Sequence, residues 1–213
     1  MTILSSKIEP LTSVGPVRVE PVQARSTRRV AALLDATAQV VHDMGYETLT
    51  TALVADRAGA SIGTVYRYFP DRIAVLQALI GRNIHRAHQA TVKALHSAQP
   101  TGIIDAMDVV FDTLVELFRS EPGYRSLRLG DVLDIRPVAT ARSGNQDFSH
   151  LLVEQFSDVL GLRLDSRARL AVETSVDVMD AMMGRAFHRV DRGDKPILDE
   201  ARRVVHLILR DVL

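Results

Sequence analysis

A short segment near the N-terminus carries two helix-start signals separated by a turn. From Gly45 to Phe69 the chain reads GYETLTTALVADRAGASIGTVYRYF. Thr50 can cap a first helix, and Gly59 permits a sharp turn after it. Ser61 can cap a second helix by accepting hydrogen bonds from the free amides of its first turn. Two short helices joined by a three-residue turn that contains glycine predict a helix-turn-helix.

The second helix of this pair, residues 62–68, has the chemistry of a DNA reader. We expect only Val65 and the neighbouring Phe69 to face the core, because four residues separate them. Gly63 leaves room for close backbone approach, and the guanidinium of Arg67 suits guanine O6 and N7 or a phosphate. A short, uncluttered helix can enter a major groove about 12 Å wide. The remaining positions are expected to point away from the core: Ser61, Thr64, Arg67 and Tyr68.

The same segment resembles a known protein family. The order of residues 58–69, small-Gly-x-Ser-x-Gly-Thr-aliphatic-Tyr-x-Tyr-Phe, is similar to the helix-turn-helix of the tetracycline-repressor (TetR) family of bacterial transcription regulators. The resemblance covers about residues 26–79 and implies a DNA-binding head followed by a long connecting helix. It also implies contacts with double-stranded DNA from the following residues: Thr51, Ser61, Gly63, Thr64, Tyr66, Arg67, Tyr68 and Arg72.

Two positions of the segment depart from the family pattern. Arg72 stands where the family usually has lysine, and a guanidinium at the start of a helix can still hold a phosphate. Ile62 stands where many members have Lys, Arg or Pro, so one phosphate contact is missing, although isoleucine can touch a thymine methyl group. Two identical heads imply an operator with inverted-repeat symmetry.

Helical periodicity continues from the head to the C-terminus. Apolar residues recur at three- to four-residue spacing, and no segment alternates like a strand. We therefore predict an all-α protein with a flexible arm (1–25), a helix-turn-helix DNA-binding domain (26–72) and an effector-binding and dimerisation domain (73–213). The predicted helices cover residues 26–44, 51–58, 62–68, 71–99, 103–120, 125–135, 148–160, 166–190 and 196–212, with a polar loop at 139–145.

The composition excludes several classes of protein. Lys plus Arg and Asp plus Glu number 26 each, so the formal net charge is zero and attraction to DNA must come from local placement of charge. The absence of cysteine excludes disulfide frameworks, thiolate zinc sites and cysteine nucleophiles. No apolar run approaches the roughly 18 residues of a membrane span, and the first residues do not read as a signal peptide. We expect a soluble, cytoplasmic protein.

The larger domain contains a candidate ligand site and a candidate interface. Its aromatic side chains concentrate on two predicted helices, and their simplest interpretation is core; the family resemblance implies that a small-molecule effector binds there. We predict that a largely apolar effector binds there and releases the protein from DNA. The candidate residues that line its site are Met107, Phe111, Leu114, Phe118, Tyr124, Phe148, Leu152 and Phe156. The last two helices carry more than one apolar stripe, which predicts a homodimer. The stripes are Val172, Val176, Met179, Met183 and Phe187, then Leu198, Ala201, Val204, Val205, Ile208 and Val212.

Two alternatives to a DNA-binding regulator stay open at this stage. His85 and His88 lie three residues apart, a spacing that can place two imidazoles on one face as metal ligands in a helical metal-binding protein or enzyme. The sequence lacks the common nucleotide-binding, hydrolase and metalloprotease motifs, so we predict no catalytic residues, no cofactor and no metal. The second alternative is a helical interaction module without DNA binding. The pattern does not separate a repressor from an activator.

Overall fold

The computed structural model describes residues 24–127 and 144–210, and within them the regular structure is entirely α-helical. This confirms the all-α prediction. The helices are α1 (Ala24–Met44), α2 (Thr51–Arg57), α3 (Ile62–Tyr68), α4 (Arg72–Ala98), α5 (Ile103–Ser120), α6 (Gly144–Leu160), α7 (Ser166–Ala186) and α8 (Lys195–Arg210). Among these described helices, none combines the length and the apolar character needed to cross a bilayer.

Several helix boundaries differ from the predicted ones. Helix α1 already includes Ala24, and α6 begins at Gly144, inside the predicted polar loop. That start is stabilised because Asn145 is buried and its Nδ2 donates to Asp177 Oδ1 at 2.8 Å. Helix α7 ends at Ala186, where the amide of Asp194 donates to the Ala186 carbonyl at 2.9 Å and closes the connection to α8.

Some predicted elements are not seen or lie outside the described residues. Residues 125–127, the predicted start of a short helix, form a turn. The arm up to residue 23, the segment 128–143 and Val212 lie outside the described residues.

The head is built from α1, α2, α3 and the first part of α4. The two predicted helix caps are present: Thr50 Oγ1 accepts from the Leu53 amide at 3.1 Å, and Ser61 Oγ accepts from the Thr64 amide at 3.2 Å. Gly59 takes φ +57 in the turn between α2 and α3. The apolar sides of these helices meet in one core that includes Leu33, Val41, Val54, Val65, Phe69 and Leu76.

The body is built from the rest of α4 with α5, α6, α7 and α8. Helices α7 and α8 pack on each other as an antiparallel pair, and α4 packs on both α5 and α6. Helix α4 contributes Leu76 and Leu79 to the head core and Ala87 and Leu95 to the body core. This one helix therefore belongs to both units.

The apolar stripe predicted on α7 faces the core of its own body. Val172, Val176, Met179, Met183 and Phe187 are all buried there. These side chains therefore pack inside the same chain, so this stripe does not offer them to a second subunit.

Candidate DNA-binding and ligand-binding sites

Helix α3 presents a polar face to solvent. Val65 is buried and anchors the helix, whereas Ile62 is 48% exposed and Tyr66 is 43% exposed. Gly63 and Arg67 are also exposed. Because the buried positions share one side of a short helix, the opposite side is free of packing contacts with the head.

Side-chain hydrogen bonds order this face of α3. Thr51 Oγ1, at the start of α2, donates to the Tyr66 hydroxyl at 3.2 Å and so joins the two helices of the motif. Ser61 Oγ and Thr64 Oγ1 lie 2.9 Å apart while Ser61 also caps α3. The structure thus brings together four of the residues that the sequence predicted to contact DNA.

Two arginines flank this face in different ways. Arg67 is exposed on the last turn of α3. Arg72 is exposed at the start of α4, and its Nη1 donates to the Glu47 carbonyl at 2.9 Å. Asp71 caps the same helix by accepting from the Ala74 amide at 2.8 Å. Arg72 thus lies on the first turn of α4, with its guanidinium anchored to the Glu47 carbonyl.

Tyr68 does not point away from the core, and that prediction is wrong. It is 6% exposed, its ring belongs to the head core, and its hydroxyl accepts from Ser26 Oγ at 3.4 Å. In an α-helix, both the third and the fourth residue after a given position lie on the same face as that position. Tyr68 is the third residue after Val65 and Phe69 is the fourth, so both lie on the buried face. Tyr68 holds α3 against α1.

Two other arginines around the head are paired with acids. Arg57 Nη1 lies 2.9 Å from Asp43 Oδ2, and Arg82 Nη1 lies 2.6 Å from Asp35 Oδ1. These pairs lower the positive charge that the head offers to a polyanion. Arg67 and Arg72 are left as the arginines of the α3 face.

The candidate ligand residues are all buried in the body core. The ring of Phe118 lies 5.2 Å from Tyr124 and 5.0 Å from Phe187 between centroids. The guanidinium of Arg202 lies 4.4 Å over the ring of Phe111. The structure brings the whole set together in one apolar cluster: Met107, Phe111, Leu114, Phe118, Tyr124, Phe148, Leu152 and Phe156.

Buried polar atoms accompany this cluster, and of the residues that carry them the sequence had singled out only His88 and Tyr124. Besides Arg82 Nε, seven buried side-chain atoms have no hydrogen-bond partner in the described structure: Asn83 Nδ2, His88 Nε2, Thr91 Oγ1, Tyr124 OH, Asn145 Oδ1, Gln155 Oε1 and Ser175 Oγ. Each unpaired buried group costs about 1–3 kcal/mol, so a set of them calls for partners. The signal was present on α4, where Asn83, Ala87, Thr91 and Leu95 follow one another at four-residue steps on the inward face.

Burial also shifts the pKa values of two of these groups. Desolvation lowers the pKa of His88, whose ring stacks on Phe148 with 5.6 Å between centroids, so the imidazole is neutral at pH 7. Burial, with the charges of Asp180 and Glu121, raises the pKa of the Tyr124 phenol, which stays protonated. The interior therefore offers neutral donors and acceptors.

The two histidines proposed as an alternative metal site lie in different surroundings. His85 is exposed, whereas His88 is stacked inside the body. Across residues 24–127 and 144–210, no group of three or more histidine or acidic side chains is placed to hold a metal ion.

A separate cleft lies between the head and the body. Its volume is about 1040 Å³, and it is bordered by the connection after α1 and the connection between α7 and α8. His42, Glu47, Arg125 and Asp191 line it, and none of the candidate ligand residues does.

Two family models match the chain. The model described as bacterial regulatory proteins of the tetR family matches residues 33–79, which include α2 and α3. The model described as the tetracyclin repressor-like C-terminal domain matches residues 101–211, more than half of the chain.

Two curated repressors match over less than a third of this chain. The transcriptional repressor KstR of Mycolicibacterium smegmatis is 39% identical over 62 residues, which are 29% of this chain and 30% of that protein. KstR of Mycobacterium tuberculosis is 41% identical over 59 residues, 28% of this chain and 27% of that protein. The chain thus matches less than a third of the length of these relatives.

A solved structure matches almost throughout. A TetR-family transcriptional regulator from Streptomyces coelicolor is 30% identical, with a TM-score of 0.73, over 87% of this chain and 99% of that one. This similarity covers the head and the body together.

Proposed function

Because the chain belongs to the tetracycline-repressor family of bacterial regulatory proteins, we propose that it regulates transcription by binding an operator through α2 and α3. The observation that carries this proposal is the exposed polar face of α3, anchored by Val65 and continued by Arg72 at the start of α4. The KstR relatives are repressors by name, which favours repression over activation. The proposed contact residues are Thr51, Ser61, Gly63, Thr64, Tyr66, Arg67 and Arg72.

The contact residues divide into those that read sequence and those that hold the backbone. The guanidinium of Arg67 donates two parallel hydrogen bonds to guanine O6 and N7. Such a contact contributes about 1–3 kcal/mol of discrimination against the other bases. Tyr66 and Arg72 bind phosphates, since a hydroxyl ordered by Thr51 and an exposed guanidinium anchored to the Glu47 carbonyl suit phosphate oxygens. Exposed Ile62 lies beside them and can contact a thymine methyl group.

Selection from a random duplex library tests this proposal without knowledge of the operator. The protein should enrich an inverted repeat whose half-sites are about one helical turn or a multiple of it apart. Arg67→Ala should weaken binding to the selected duplex by about 1–3 kcal/mol and relax preference at one base pair in each half-site. Arg57→Ala is the matched control, because it removes one charge from the head at a side chain paired with Asp43. Failure to enrich any duplex would overturn the proposal.

We propose that the regulator acts as a homodimer formed by the outer faces of α7 and α8. Leu170 is 61% exposed and Leu207 is 50% exposed. Because the two helices are antiparallel, these leucines lie at the same end of the pair, with half-buried Val204 and Ile208 nearby. Exposed leucines on a helix pair whose other side fills the body core indicate a second partner. An isologous contact places two heads on an inverted repeat.

We also propose that the body binds an uncharged effector that carries hydrogen-bonding groups on an apolar frame. The apolar frame would pack on the aromatic cluster, and its polar groups would pair with the orphaned atoms of His88, Thr91 and Ser175. Neutral partners favour a neutral ligand, because a buried charge needs a counter-charge. Occupancy of the body would lower operator affinity.

A metabolite library of hydroxylated and carbonyl-bearing hydrophobic compounds tests the effector proposal. Compounds that raise the melting temperature of the wild type should also release the selected duplex, and they should stabilise Thr91→Val less. Thr37→Val is the matched control: Thr37 is equally buried, but its hydroxyl donates to the Leu33 carbonyl within the head at 2.7 Å. Compounds that stabilise both variants as they do the wild type would place the site elsewhere.

A further inference from the structure

We propose that the turn of residues 121–127, which follows α5, is a second mechanical link between body and head and transmits the state of one to the other. This inference rests on the proposed function, since it concerns how operator binding is coupled to the body. The turn is placed for this role because its residues contact both cores within seven positions.

The head side of the link is Leu127. Its side chain is 2% exposed and belongs to the head core, where all the other buried residues come from α1 to α4 and their connections. Among the described residues, Leu127 is thus the buried residue from beyond α4 that packs in the head core. A shift of this side chain displaces its neighbours in the head core, because close-packed interiors transmit displacement.

The backbone of the turn also touches the head directly. Gly123 has φ +71, and a Cβ atom placed on it would lie 2.8 Å from the Ala38 carbonyl oxygen of α1. The backbones of the turn and of α1 are therefore as close as a residue without a side chain permits. Leu127 and Gly123 fix the turn to the head at two points.

The body side of the link is Tyr124. Its ring is buried in the body core and packs edge-on against Phe118 at the end of α5. Its hydroxyl is one of the orphaned polar atoms of the interior. A molecule that pairs with this hydroxyl would act on a residue three positions before Leu127, and the Leu127 amide donates to the Tyr124 carbonyl at 3.3 Å.

Ion pairs tie the turn to the elements on either side. Glu121 Oε2 accepts from Arg86 Nη1 of α4 at 2.5 Å. Arg125 Nη1 lies 2.6 Å from Asp191 Oδ1 in the connection between α7 and α8. The turn is therefore in contact with α1, α4 and the α7–α8 connection.

Hydrogen exchange of the full-length protein, with and without a duplex obtained by the selection described above, tests the link. If the turn couples the two units, duplex binding should slow amide exchange in residues 121–127 and in the second half of α5. With the duplex at about 100 times its Kd, we expect slowing of between about five-fold and 100-fold. Unchanged exchange in these peptides, with slowing confined to the head, would overturn the inference.

Leu127→Ala should confine the duplex-dependent slowing to the head. Ile103→Ala is the matched control, because it truncates a buried aliphatic side chain at the opposite end of the same α5. Slowing in α5 that persists in Leu127→Ala, or that is lost equally in both variants, would overturn the inference. If Leu127→Ala does not fold, Leu127→Val makes the same test with a smaller loss of volume. Failure to select any duplex would instead contradict the proposed function.

Discussion

Replacing Gly123 by alanine tests the closest contact between the turn and the head. The change has two physical consequences. First, alanine at φ +71 enters the left-handed region, which costs about 1–2 kcal/mol. Second, the new Cβ would lie 2.8 Å from the Ala38 oxygen and 3.3 Å from its Cα, both backbone atoms that cannot rotate away. Overpacking of this kind costs about 1–3 kcal/mol, so we expect a total loss of about 2–5 kcal/mol in the free energy of unfolding.

Gly161→Ala separates these two consequences. Gly161 has φ +66, but a Cβ placed there meets nothing within 4 Å, so only the conformational loss of about 1–2 kcal/mol applies. Urea unfolding followed by circular dichroism, at one fixed protein concentration, gives both values on the same scale. If Gly123→Ala destabilises the protein no more than Gly161→Ala does, the turn does not rest on α1 and the contact drawn from the structure is refuted.

Further outcomes follow from the exposed and buried side chains. Leu170→Glu combined with Leu207→Glu should give a folded monomer by light scattering, and a dimer of unchanged mass would move the interface elsewhere. Without effector, Thr91→Val should raise the free energy of unfolding by about 1–3 kcal/mol, because it removes an unpaired buried hydroxyl, whereas Thr37→Val should not. Tyr66→Phe should weaken binding to all duplexes alike in an anisotropy titration, and a change in base preference would show that Tyr66 reads sequence instead.

The parts of the head that depend on local chemistry could be predicted from the sequence. The caps at Thr50 and Ser61 and the left-handed turn at Gly59 follow from residue types and their neighbours, and the structure has all three. Tyr68 was assigned to the wrong side because both three- and four-residue spacings lie on one helix face. Whether Tyr68 faces the core or solvent depends on which helix packs against α3. That helix is α1, which is far from α3 in the sequence.

The body could be predicted as a set of helices but not as a set of contacts. An apolar stripe on α7 has the same pattern whether it faces its own core or a partner, and packing decided that Met183 is buried. Inward polar residues such as Ser175 were missed because an isolated polar position does not alter the helical period. The double role of the turn could not be predicted either, since Leu127 and Tyr124 enter different cores through contacts far apart in the sequence.

A second attachment point changes what the body can do to the reading helix. In a head joined to its body by α4 alone, only that helix resists twisting of the head about the helix axis, so a tilt of α4 would mainly set the distance between two heads. Leu127 lies away from that axis and is packed in the head core. Two attachments define a hinge line, so a displacement within the body turns α3 in one direction. Operator recognition needs both distance and orientation, because the half-sites lie on a helical groove. In the proposed mechanism α4 controls the distance and the turn controls the orientation.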